Sequence, residues 1–317
     1  MAVLAIDLGG TKLALALFDG GGDLILKQTV FLQQRRGTEV GDLIRQQTAR
    51  LLHEAGRRQL PVHGIGVSVP GIYRAQTGSV WAPNIPGWAD YPLLHELNAI
   101  SGGEVPVHMD SDGACCIIAE ARRGAARGCR NAVFLAVGTG IGAGIMVDGQ
   151  VLRGAGGSAG AVGWLALDRP FDDRYSRCGC FEYYASGDGI ARLASECLAA
   201  EAGYSGVLAS TFEGAEDVFA ARAAGDALAE RILRQCTEFW GMAAANLVSL
   251  FNPEKIIFGG GVFGPALGLL GDIYSEARKW AQPIGIGEVR FEGSALGADA
   301  ALFGAAYLAL HARSLED

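Results

Sequence analysis

The chain has 317 residues, half of them apolar, with 47 glycines and 19% charged residues, enough to bury two full cores and too apolar for a disordered chain. Its formal net charge of -8 argues against nucleic acid as a partner, and no apolar run free of glycine and charge is long enough to cross a membrane. Seven cysteines, two of them adjacent at Cys115 and Cys116, do not make a secreted disulfide framework, and with no basic leader at the N-terminus the expected compartment is the cytoplasm.

Residues 3–6 and 13–18 are apolar runs of strand length, and Asp19-Gly20 after the second is a hairpin turn signal. Between them lies Asp7-Leu8-Gly9-Gly10-Thr11-Lys12. The glycine pair lets backbone N–H groups approach an anion, Thr11 can donate to a phosphate oxygen, Lys12 adds charge, and a carboxylate beside phosphates implies Mg²⁺ held directly or through water. Residues 132–149 repeat the design: a strand, a glycine-rich loop with Gly138, Thr139 and Gly140, a second strand, and Asp148-Gly149. Such a repeat implies two related halves, and because each loop leads into another strand a dinucleotide-binding βαβ unit is disfavoured.

Along the chain, residues 23–30 read as a third strand and 40–55 as an amphipathic helix. A strand over 65–69 ends in Pro70-Gly71 and is followed by a proline-stiffened loop with Trp81, Asn84 and Trp88, residue types that can form a sugar platform or fill core. A short helix over 92–100 and a strand over 105–109 lead to Asp110-Ser111-Asp112, where an acidic residue either caps the following helix or acts as a base. Residues 154–163 are again glycine-rich; helices are expected over 183–198, 216–224, 226–250 (stopped by Asn252-Pro253) and 298–310, with a strand over 255–258 running into Gly259-Gly260-Gly261.

Four ordered motifs, DLGGTK at 7–12, GTGIGAG at 138–144, IIFGGG at 256–261 and ALGADAALFGAA at 295–306, resemble the ROK family of the actin-like, hexokinase-like ATPases. The resemblance covers nearly the whole chain. It implies an α/β fold of two actin-like (ribonuclease-H-like) lobes with an interlobe cleft, one lobe from residues 1–109 plus 298–317 and the other from 110–297, with the 226–250 helix serving an interlobe or homodimer contact. It further implies ATP and Mg²⁺ as cofactors and phosphorylation of a hexose or hexose derivative at the 6-position. Asp7 would hold Mg²⁺ through water, Gly259 to Gly261 would face the adenosine, and Asn84 would read sugar hydroxyls. Counting back from Ala119-Glu120, Asp112 takes the base position with Asp110 a nearby competitor, while Ser111 and Ala114 replace two asparagines.

The resemblance breaks at the sugar end. Where the family carries a Glu and a zinc-binding His, this sequence has Ala161 and Trp164; at the first two zinc-site cysteines it has Asp173 and Tyr175, and only Cys180 and Glu182 match. No His lies between His108 and His311, so no structural zinc is expected. The resemblance implies that Glu182 contacts the sugar together with Asn84, Ser111 and Asp112, and Trp164 would add an aromatic wall that should change selectivity. A catalytically inactive sugar-binding or regulatory protein is the alternative; ROK repressors carry a DNA-binding extension, for which the loop at Asp7 leaves no room.

Overall fold

Why the two glycine-rich hairpins exist is visible in how their strands are covered. The structure, a computed structural model, describes residues 1–201 and 203–311 and divides into two units. Unit 1 contains Met1–Gly124, Val151–Ala159 and residues 299–311; unit 2 contains Ala125–Gln150 and Gly160–Ala298.

In unit 1, β1 (Ala2–Leu8), β2 (Lys12–Asp19) and β3 (Leu24–Phe31) form an antiparallel meander, and α1 (Thr38–Arg57) follows. β4 (Val62–Val69) then pairs parallel to β1, the small hairpin β5 (Ile72–Arg74) and β6 (Ser79–Trp81) and helix α2 (Leu93–Ile100) intervene, and β7 (Val107–Ser111) pairs parallel to β4. The sheet order is β3-β2-β1-β4-β7, and α3 (Asp112–Arg123) starts directly from the end of β7. β1 is apolar throughout because both its faces are covered. Leu4, Ile6 and Leu8 join a core with Val40 and Ile44 of α1, whereas Val3 and Ala5 point to the opposite face.

Unit 2 repeats the plan. β8 (Ala132–Val137) and β9 (Ile141–Val147) are antiparallel, β10 (Gln150–Val151) lies on the outer edge, and β11 (Lys255–Gly259) and β12 (Arg290–Gly293) extend the other side in parallel, giving the order β10-β9-β8-β11-β12. The expected helix over 183–198 is two helices, α4 (Cys180–Ala185) and α5 (Gly187–Ala200). Ser186 breaks them with an extended backbone and accepts from the Gly189 N–H at 3.0 Å, a hydroxyl cap that a purely apolar periodicity does not reveal. The short α6 (Leu208–Thr211) and α7 (Ala215–Ala223) precede α8 (Ala227–Phe251), which fills the unit's core with Ile232, Leu233, Cys236, Trp240 and Leu247 and is stopped by Asn252 at φ 42°. α9 (Leu270–Trp280) and α10 (Pro283–Glu288) lead to β12.

The closing helix α11 (Ala300–Leu310) returns to unit 1, where Leu302, Ala305 and Ala306 cover Val3 and Ala5 of β1. Its approach is close: a Cβ on Gly304 would collide with the Cys115 carbonyl of α3. The boundary expected at 109/110 therefore lies further on. α3 is packed on α11 inside unit 1, so Asp112 belongs with Asp7 rather than with the second half of the chain. Val151–Ala159, expected in the other lobe, also packs with unit 1; residues 312–317 of the expected first lobe lie outside the described residues.

Candidate active site

The sheet register of unit 1 builds a row of polar groups at the C-terminal ends of the parallel strands, the edge where open α/β sheets bind ligands. Asp7 of β1 stands opposite Ser68 of β4, and Ser68 opposite Asp110 of β7. Ser68 Oγ donates to Asp7 Oδ1 at 2.9 Å, and Asp7 Oδ2 has no hydrogen-bond partner among the described residues. Burial raises the Asp7 carboxyl above its usual range, against the Ser68 hydrogen bond and the Lys12 charge. A cation would relieve that penalty, so the donor set fits a hydrated Mg²⁺.

Asp110 and Asp112 separate sharply. Asp110 is 6% exposed; Arg153 donates to its Oδ2 from Nε at 2.8 Å and Nη2 at 2.7 Å, and the Ser111 N–H donates to its Oδ1 at 2.9 Å. Burial raises it, with Arg153 opposing the rise. Asp112 is open to solvent, and the Gly113 N–H at 2.7 Å is the hydrogen bond its carboxyl accepts at the start of α3. Burial pushes its carboxyl up to about 6, opposed by the Gly113 N–H, and the Asp7 charge adds to the rise. A reachable carboxylate with an elevated pKa suits proton abstraction, whereas Asp110 is committed to its ion pair. Ser111 caps α3 through its side chain, which accepts from the Ala114 N–H at 3.3 Å.

Asn84 is exposed, and its Nδ2 lies 2.9 Å from where a Cβ on Gly10 would be, so unit 1 brings the proline-rich loop against the first glycine loop. Trp88, a candidate for a sugar platform, is core: it is 1% exposed, stacks on Tyr91 at 4.2 Å and donates through Nε1 to the Gly37 carbonyl at 2.9 Å.

The two glycine loops match closely. Each connects its strands with three residues, and each folds its first amide inward, Gly9 N–H to the Lys12 carbonyl and Gly138 N–H to the Gly140 carbonyl, both at 2.9 Å. The N–H groups of Gly10, Thr11, Thr139 and Gly140 have no partner among the described residues, which leaves two donors per loop for an anion. In unit 2, Glu182 Oε2 accepts from the Ile141 N–H at 2.6 Å, and burial raises its carboxyl against that bond. The Gly187 N–H at the start of α5 donates to the Gly138 carbonyl at 2.7 Å. Trp164 sits beside this assembly, 54% exposed, on a turn whose Gly163 leaves no room for a Cβ against the Ile141 carbonyl at 2.9 Å and Glu182 Cβ at 3.1 Å. After β11, Gly260 has φ 89°, a conformation suited to glycine, and Gly261 faces open space where a flat group can lie.

A profile of the ROK family matches residues 3–312. The chain belongs to the ROK family. It is 32% identical to a glucokinase of Halalkalibacterium halodurans over 96% of this chain and 94% of that protein. Among solved structures, the ROK hexokinase of Thermus thermophilus superposes with a TM-score of 0.79 at 31% identity, covering both chains fully. A ROK glucokinase from Streptomyces griseus, in complex with glucose and AMPPNP, gives 0.79 at 26% identity over 98% of this chain and 99% of that one. A ROK transcriptional regulator, a homologue of the E. coli MLC protein, gives 0.87 at 26% identity over 99% of this chain and 78% of that one. The fold is thus the actin-like α/β architecture of the ROK sugar kinases.

The ROK resemblance implies a structural zinc, which the donor set does not fit. Its four positions hold Trp164, Asp173, Tyr175 and Cys180, a single thiol among them, and the Tyr175 hydroxyl is engaged with Asp168 and Tyr184. Ser68, Arg153 and Ser186 were not legible as site residues. Ser68 is a small polar residue inside an apolar strand, a signal that could have found it; Arg153 carries none.

Proposed function

We propose that this chain is an ATP-dependent kinase that transfers the γ-phosphoryl group to a sugar hydroxyl, in a hexose or hexose derivative at the 6-position. The observation that carries it lies within unit 1, where the exposed Asp112, its carboxyl raised by burial to about 6, belongs with a glycine loop whose Gly10 and Thr11 amides have no partner among the described residues.

Asp112 accepts the hydroxyl proton on its side-chain oxygen, a task worth typically about 10² to 10⁴ in rate. The amides of Gly10 and Thr11 in unit 1 and of Thr139 and Gly140 in unit 2, with the hydroxyls of Thr11 and Thr139 and the ammonium of Lys12, take up phosphate charge; phosphoryl transfer depends mainly on such alignment. Asp7 would hold Mg²⁺ through water, and the metal would neutralise charge developing on the phosphates. Gly259 to Gly261 receive the adenosine, and Asn84, Trp164 and Glu182 read the sugar. Ala161 offers no polar group, so the reader at that end is the indole face of Trp164. Homodimer and cytoplasm complete the proposal; the apolar side chains Leu250, Trp280 and Ile284, exposed on unit 2, support self-association.

A coupled ADP-release assay across hexoses, amino sugars and ketoses tests this. Sugar-dependent ADP from at least one of them is expected; sugar binding by calorimetry without any ADP would favour the regulatory reading, which the altered positions Ala161 and Trp164 motivate.

A further inference from the structure

Helix α4 carries two different tasks on its six residues. Glu182 holds the Ile141 N–H at the end of the second glycine loop, while Tyr183 and Tyr184 enter an aromatic cluster with Tyr175. The centre of that cluster is polar. The Tyr175 and Tyr184 hydroxyls lie 2.7 Å apart and 3.2 and 3.0 Å from Asp168 Oδ2, so that one hydroxyl donates to the carboxylate while the other donates to its neighbour or to the same oxygen. Tyr183 packs edge-on to both neighbouring rings, at 5.5 Å from Tyr175 and 5.1 Å from Tyr184, and Arg174 donates to its hydroxyl at 3.0 Å.

The cluster is tied outward on two sides. Tyr184 stacks on Phe239 of α8 at 4.4 Å, and the following residue, Ala185, accepts from Trp240 Nε1 at 3.0 Å. Toward the turn, Gly179 is so tight against the Trp164 backbone that a Cβ would stand 2.6 Å from Trp164 Cα. The cluster thus ties Asp168, four residues after Trp164, to α4, which carries Glu182. Burial and the hydrogen bonds to Tyr175 and Asp168 raise the Tyr184 hydroxyl, consistent with a donor that stays protonated.

We infer that Asp168, Tyr175 and Tyr184 form a metal-free clamp, a set of positioning residues that fixes Glu182 against the second glycine loop and sets the turn carrying Trp164. One member, Tyr175, takes a position that the resemblance gives to a zinc ligand, and a hydrogen-bonded triad differs from a metal in a measurable way: it survives chelation and fails on loss of a hydroxyl. The inference rests on the proposed sugar-reading role of Glu182 and Trp164.

The test uses the full chain and the variants Tyr175→Phe, Tyr184→Phe and Asp168→Asn, the first two keeping the rings so that packing is preserved. Each is expected to raise the sugar KM about 3- to 10-fold, the equivalent of one neutral hydrogen bond, and, because Glu182 braces the second glycine loop through the Ile141 N–H alone among the described residues, to raise the ATP KM by less than the sugar KM. The Tyr175→Phe/Tyr184→Phe double variant should fall short of the product of the singles, because the two hydroxyls share one carboxylate oxygen. Wild-type protein dialysed against EDTA should keep its Tm and, once Mg²⁺ is restored, its full activity. Unchanged sugar KM in all three variants overturns the clamp, as does one tightly bound zinc per chain whose removal lowers Tm. If wild type releases no ADP with any sugar, the kinase proposal fails instead; the clamp is then judged by Tm, which each hydroxyl loss should lower by about 2 to 4 °C and which chelation should not.

Discussion

The glycine loops of the two units share their connection length, their inward-folded first amide and the strand order of their sheets, yet they are backed by different chemistry. Two residues before Gly9 stands Asp7; two residues before Gly138, at the corresponding place, stands Ala136. Unit 1 carries the carboxylates Asp7 and Asp110 toward the C-terminal ends of β1 and β7 and Asp112 at the start of α3. Unit 2 braces its loop from outside, through Glu182 on the Ile141 N–H and the α5 N-terminus on the Gly138 carbonyl. A duplicated hairpin thus keeps unpartnered loop amides in both copies among the described residues, while the carboxylates proposed for metal and base chemistry stand in one.

The largest break in that asymmetry should come from Asp7→Asn, which is expected to lower kcat by about 10² to 10³ by removing the charge proposed to hold the metal. The same assay with raised Mg²⁺ checks whether the loss is one of metal affinity. Next, Gly140→Ala would place a Cβ 2.7 Å from Glu182 Oε2, and Gly10→Ala one 2.9 Å from Asn84 Nδ2. Each is expected to cost about 10-fold, an ångström-scale misplacement at an aligned site, but in different parameters: Gly140→Ala in the ATP KM and in kcat, Gly10→Ala in the sugar KM. Gly138→Ala, which meets nothing within 4 Å, is the matched control.

The pH profile sharpens the role of unit 1. Because burial lifts Asp112 to about 6, the base is protonated and idle below that pH and ionised above it, so kcat/KM for sugar should rise with pH through about 6 and then level. Arg153→Met leaves buried Asp110 without its guanidinium. With Arg153 itself 47% exposed, the cost is expected at about 2 kcal/mol, lowering Tm by about 4 to 8 °C in thermal unfolding.

Much of this was legible from residues alone, and the parts that were not share a cause. Apolar runs and glycine punctuation located both hairpins, and Asn252 after the long apolar stripe of α8 located its end, because these signals are local. The domain boundary was misplaced because α3 is held in unit 1 by α11, nearly 200 residues later, which no local pattern carries. Counting residues put Asp112 at the base position but left Asp110 a competitor, and the reason to set Asp110 aside, its ion pair with Arg153, is a tertiary contact. Trp88 and Trp164 show the same limit in opposite senses: two tryptophans in glycine- and proline-rich surroundings, one stacked in the core on Tyr91 and the other 54% exposed. Side-chain type sets what a residue can do, and tertiary contacts decide whether it is free to do it.

The most direct measurement sets Asp112→Asn against Asp110→Asn in a coupled ADP-release assay with the best sugar of the panel. Asp112→Asn is expected to lower kcat by about 10² to 10⁴ while keeping the fold, and Asp110→Asn, which retains a hydrogen-bond acceptor for Arg153, to lose under about 10-fold. Equal turnover by wild type and Asp112→Asn, or the larger loss falling on Asp110→Asn, would contradict the assignment of Asp112 as the base.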